Sequence, residues 1–248
     1  MLSRCCFCLV AHRFYPKSRS EGKCLSDKLL AIVQEIGYRR HKVAWLNNLG
    51  NAYHALGQVE QAIKHYEEAL SIAREIDYRS GQSYQLLRLG KVLLSAGRLV
   101  EARHHCAEAL VLEVPETSYQ AALALGVVLL RQGDPSAGET FADAATRCRA
   151  MLDKTAGLYE PRYTLAAALV GSAICDPRWA EEGERTGLLA PALDEYRRAL
   201  DNCAAPGAVG DARCDLELMR AAGVAGLEPV YELLATGATP TSDVSTDL

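Results

Sequence analysis

Aromatic side chains are scarce: Phe, Trp and Tyr make up 6% of the 248 residues, with only three Phe and two Trp. Ala and Leu fill much of the apolar quota instead. Helix packed on helix is therefore expected rather than a β-sandwich. There is no basic excess, since 27 Lys and Arg stand against 31 Asp and Glu for a formal net charge of −4. That balance argues against a general nucleic-acid binder. The longest apolar run, Ala121–Leu130, has ten residues, well short of the ~20 that a membrane helix needs. No Gly-x-x-x-x-Gly-Lys phosphate loop, Gly-x-Ser-x-Gly elbow or His-Glu-x-x-His pair occurs. Neither an enzyme nor a bound cofactor or metal is expected. Hydrophobic residues are plentiful at 49%, enough for a sizeable core.

Five of the nine Cys (Cys106, Cys148, Cys175, Cys203 and Cys214) are scattered singly through helical segments. Such a scatter suits buried hydrophobes in a reducing, cytoplasmic setting better than a disulfide framework. The other four are Cys5, Cys6, Cys8 and Cys24. Residues 1–23 are basic and lack a helical period. They read as a poorly ordered leader (1–24), with an organellar targeting segment as an alternative. A metal site on Cys5, Cys8, His12 and Cys24 is a third reading, carried by one Cys-x-x-Cys. Residues 237–248 are polar and read as a flexible tail.

The strongest signal is internal repetition. Glu35-Ile36-x-Tyr38-Arg39 recurs as Glu75-Ile76-x-Tyr78-Arg79, a shift of 40. Leu49-Gly50, Gly57, Ala62 and Ala69-Leu70 recur in the same register as Leu89-Gly90, Gly97, Ala102 and Ala109-Leu110. Leu125-Gly126 lies 36 further on, and Leu165-Ala166 another 40. Each unit reads as two amphipathic helices: Val43, Leu46, Leu49, Gly50 and Tyr53 form one stripe, and Ala62, Ile63, Tyr66, Ala69, Leu70 and Ala73 the next. Gly57 breaks the chain between them. Leu29, Leu30, Ile32 and Ile36 sit 40 before Ala69, Leu70, Ile72 and Ile76. Residues 25–36 therefore read as the second helix of a repeat whose first helix is missing. Pro115 reads as the end of one helix, and Thr117-x-x-Gln120 as a capping box for the next. Asp134-Pro135 and Asp176-Pro177 read as helix starts.

Leu46, Leu49-Gly50, Tyr53, Gly57, Ala62, Tyr66 and Ala69 resemble the tetratricopeptide repeat, W-x2-L-G-x2-Y…A-x3-F. Leu46 takes the place of the Trp. The 40-residue variant resembles repeats of kinesin light chains, Leu-Gly-Asn-type G-protein modulators and bacterial signalling ATPases. The resemblance implies an all-α, right-handed α-solenoid of helix hairpins. The half-repeat 25–36 precedes repeats at about 43–76, 83–113, 117–152 and 159–203, with an insert at 172–188. A helical cap at 204–236 closes the array. The aromatic places of the repeat fall to Leu46, Leu93, Cys106 and Ala142, which suggests looser packing in later units. Trp179, in the insert, is expected to fold back as a plug.

The resemblance also implies a concave groove lined by the first helix of each repeat. Facing it would be Asn47, Asn51 and His54, then Tyr84, Leu87, Arg88 and Lys91, then Leu123, Val127 and Arg131. Asn can pair with a peptide backbone, and Arg88 and Lys91 with a carboxylate. The apolar third unit would suit an amphipathic helix. The bland alternative is a solvated helix face. In His104-His105-Cys106, the two His point about 100° apart on a helix and cannot chelate together, and Cys106 reads as core. An interaction scaffold with a protein or peptide partner is the leading expectation, without nucleic acid or membrane. The alternative is a sensor arm of a larger signalling ATPase or transcriptional regulator.

Overall fold

The computed structural model describes residues 19–237, with side chains from 37 to 236 together with Glu35. Most of the leader (Cys5, Cys8 and His12 with it) and nearly all of the tail lie outside the described residues. The described chain is entirely helical. In order come α1 (Arg19–Ala55), α2 (Val59–Glu75), α3 (Arg79–Ser95), α4 (Leu99–Val111), α5 (Pro115–Gln132), α6 (Ala137–Lys154) and α7 (Tyr159–Ile174). A 3-10 turn, Pro177–Ala180, precedes α8 (Glu182–Asn202), α9 (Pro206–Arg220) and α10 (Glu228–Gly237).

Each helix packs on the next from α1 to α8, and the odd-numbered helices α3, α5 and α7 also touch one another in sequence. Four hairpins stacked this way make an α-solenoid. The turns within the first three hairpins rest on Gly57, Gly97 and Gly133, all in the left-handed region. A side chain there would meet its own backbone, so Gly is the residue that closes these turns without strain. The first two turns between hairpins use non-Gly residues in the same region, Asp77 at φ 50° and Glu113 at φ 48°.

One core runs continuously from Ala62 to Leu234. Its hairpins close on small residues. A Cβ on Gly126 would stand 2.8 Å from the Phe141 ring, and one on Gly171 2.5 Å from the same ring. Gly50 gives the same room to Tyr66, and Gly90 to the Cys106 sulfur. The aromatic of the third unit is thus Phe141, which is fully buried, not Ala142, which is exposed. The turn before α6 shifts the register by one residue and restores tight packing there.

Several local expectations are corrected. Pro115 opens α5 as its first residue rather than ending α4, because a missing N–H costs nothing at that place. Thr117 does not cap α5. It is buried within the first turn, its hydroxyl 2.6 Å from that of Ser83. Asp134 precedes the N-cap Ser136 and accepts from its N–H and hydroxyl. Asp176 caps the 3-10 turn by accepting from the Arg178 N–H at 2.9 Å. The insert is therefore this turn plus an N-terminal extension of α8. Trp179 folds back onto the core, and Arg185 stacks over its ring at 5.7 Å while donating to its carbonyl.

The largest departure is at the start. Residues 25–36 are not a separate helix. They continue without a turn into the first helix of the first repeat, as one helix of 37 residues, about 55 Å long at 1.5 Å per residue.

Candidate functional site

The first helices of the hairpins, α1, α3, α5 and α7, present one face side by side, and the ten sequence-predicted groove residues fall along it in three zones.

The first zone is an open cleft of about 450 Å³ between α1, α3 and the start of α5. Asn47 and Tyr84 line it, together with Arg40, Tyr78, Gln85, Glu116 and Thr117. The Arg40 guanidinium stacks over the Tyr78 ring at 4.9 Å. The Tyr84 hydroxyl accepts from Arg88, 2.6 Å from Nη2. The side-chain carbonyls of Asn47 and Gln85 are buried without a hydrogen-bond partner among the described residues, and Gln85 as a whole is 2% exposed. A buried amide oxygen left unpaired is costly, so this wall has hydrogen-bonding capacity that the fold does not use.

The second zone is a ridge of side chains already engaged. Asn51 accepts from the Tyr66 hydroxyl at 2.8 Å. His54 Nε2 lies 3.3 Å from the Ser95 hydroxyl. Burial, and then the nearby Arg88 charge, hold the His54 pKa below its ordinary value. Arg88 stands 5.0 Å over the Tyr84 ring and is half-buried.

In the third zone the chain fills its own groove. Helix α9 returns to pack on α7 and α5. Lys91 Nζ donates to Asp215 Oδ1 of α9 at 3.4 Å. Arg131 donates to the Leu94 carbonyl at 2.7 Å. Leu87, Leu123 and Val127 are at most 2% exposed and belong to the core. These three cannot meet a ligand in this arrangement, which corrects their place among exposed groove residues. A smaller cleft of about 370 Å³ remains beside Lys91, lined by Gln120, Glu160, Tyr163, Asp211 and Asp215 among others. Burial raises the Asp215 carboxyl pKa, against the pull of Lys91. Helix α10 then packs on α8, so that α9 and α10 both lie against the last repeat.

The other sequence candidates are structural. Cys106 is fully buried, and burial pushes its thiol pKa up to about 12. His104 and His105 rings meet edge to face at 5.4 Å. Among the described residues no group of three or more His, Cys, Asp and Glu could hold a metal ion. Sequence reasoning missed Arg40, Gln85, Thr117 and Asp215. The repeat register could have found Gln85, because it occupies the place of Trp45 one unit later. Nothing local marks Asp215, which depends on the return of α9.

The fold and this face define a helical-repeat protein without a strand among its described residues. The family model of the tetratricopeptide repeat matches residues 43–75, which run from within α1 to the end of α2. Residues 43–75 are a tetratricopeptide repeat, and such repeats generally mediate contacts between proteins. No curated protein matches the chain. No helix among the described residues is long and apolar enough to cross a membrane.

Proposed function

We propose that the chain is an interaction scaffold that takes an extended peptide in the open cleft between α1, α3 and α5. The carrying observation is the pair of unpartnered amide carbonyls on Asn47 and Gln85 in the wall of that cleft. An extended peptide offers backbone N–H groups at regular intervals, and amide side chains can accept them. Arg40 and Tyr84, at the same cleft, favour an acidic or aromatic side chain on the ligand. The packing of α9 on α5 and α7 supports a related point. The same face accommodates an amphipathic helix supplied by the chain itself, so a partner helix competes with α9 there, whereas the α1–α3 cleft needs no displacement.

A random-peptide display library selected on the full chain tests this reading. Selected peptides are expected to lose at least about tenfold in affinity on Asn47→Ala combined with Tyr84→Ala. Unchanged affinity with intact helicity would overturn the cleft as the site. The alternative role, a sensor arm of a larger signalling ATPase or transcriptional regulator, rests on the sequence of residues 25–36 alone.

A further inference from the structure

The outer face of α1 is apolar and bare. Tyr38, Trp45 and Leu49, with Leu56 just past its end, are 63%, 62%, 44% and 71% exposed. With Ala52 they form one stripe at spacings of seven and three or four residues, about 27 Å long at 1.5 Å per residue. The repeat register says what such a face is for. One unit later, the places of Trp45, Leu49 and Ala52 are held by Gln85, Leu89 and Val92, which are at most 2% exposed. Leu89 and Val92 are core residues of α3, which packs against α2, the second helix of the preceding hairpin, while Gln85 is buried at the wall of the α1–α3–α5 cleft. The α1 stripe therefore lacks a helix of the α2 kind.

The chain contains such a helix in sequence. Leu29, Leu30 and Ile32 occupy the register of Ala69, Leu70 and Ile72 of α2, and Ile36 that of Ile76 at its C-cap. Its connection, however, is straightened. Glu75-Ile76-Asp77-Tyr78-Arg79 makes the tight turn from α2 to α3, with Asp77 at φ 50°. Its counterpart Glu35-Ile36-Gly37-Tyr38-Arg39 is continuous helix within α1. A turn sequence pulled straight, with its partner face left bare, is the geometry of an exchanged element.

We propose that residues 19–36 of a second copy of this chain cover the exposed face of α1, and that the exchange is reciprocal. In the α2–α3 pair the helices run antiparallel about a turn at Asp77. Moved back by 40 residues, the same pairing places a two-fold axis near Gly37 and Tyr38 of two antiparallel α1 rods. Each rod then gives its first half to the second half of the other. The α2–α3 contact is reproduced between copies without new chemistry. Gly37 suits both states, since glycine adopts the turn without strain and is tolerated in the rod.

The full chain in sedimentation velocity is expected to show a monomer–dimer equilibrium. Trp179→Phe leaves Trp45 as the single Trp, and its emission is expected to be blue-shifted in the dimer and to move red on dilution. Trp45→Arg and Leu30→Lys, on the two sides of the exchange, should each raise the dimer dissociation constant at least about thirtyfold with helicity unchanged. Leu49→Lys serves where Trp45→Arg fails to fold. A monomer at every concentration overturns the proposal, whether Trp45 is then exposed or is covered by its own chain. A dimer that survives Trp45→Arg and Leu49→Lys also overturns it. So does one that loses stability with Trp45→Arg but is indifferent to Leu30→Lys, which would be face-to-face packing without exchange.

Discussion

Lys91 on α3 and Asp215 on α9 meet at 3.4 Å although 124 residues separate them in the chain. Their side chains are 27% and 15% exposed. This contact joins the returning helix to the second repeat.

Its two ends are not equivalent. Burial raises the Asp215 pKa, so the ionised carboxylate is held at a cost that Lys91 offsets only in part. A carboxyl whose folded pKa lies above its unfolded value lends stability that is complete below the unfolded value. That contribution is lost as pH rises through the folded one. Asp215→Asn is therefore expected to leave the docking of α9 intact or strengthened near neutral pH, and to remove this part of the pH dependence. Lys91→Met leaves the carboxylate without its partner and should loosen α9. Hydrogen exchange over 206–220 reads both outcomes; slower exchange in Lys91→Met would contradict the account.

Phe141 is gripped between Gly126 of α5 and Gly171 of α7. Gly171→Ala should cost about 1–3 kcal/mol, because the ring has no free space to move into. Phe141→Ala should cost about 3–5 kcal/mol through the cavity it leaves. Chemical denaturation measures both, and a neutral Gly171→Ala would show that the third and fourth hairpins are looser than described.

Glu113 carries a left-handed backbone, φ 48°, without being glycine. Such strain costs of order 1 kcal/mol. Glu113→Gly is expected to raise unfolding stability by about that amount, and a loss would mean the side chain contributes more than its backbone strain removes.

Cys106 and Cys148 are fully buried, and burial pushes both thiols up to about 12. Neither offers thiolate at neutral pH. Mass-spectrometric mapping after brief alkylation of the native chain should find both unmodified while exposed Cys214 is already modified. Modification of Cys106 at a comparable rate would indicate frequent opening of the α3–α4 hairpin.

The hairpins were legible in the sequence because their determinants are local. The stripe Val43, Leu46, Leu49, Gly50, Tyr53 has the period of a helix. Gly57, Gly97 and Gly133 stand where only glycine turns without strain. Of the residues expected to face a groove, Asn47 and Tyr84 line a cleft, whereas Leu87, Leu123 and Val127 are core. A residue's position on a helix fixes the direction it faces but not whether another element arrives there.

The sequence by itself determined helices, turns and the register of about 40 residues, since each follows from contacts within one or two turns of chain. Tertiary structure decided what those contacts could not. Glu-Ile-x-Tyr-Arg is a turn at 75–79, where α2 and α3 pack on each other, and helix at 35–39, where Trp45 and Leu49 lie bare. Asp215 became a groove residue only because burying the apolar face of α9 against α5 and α7 brings it to Lys91.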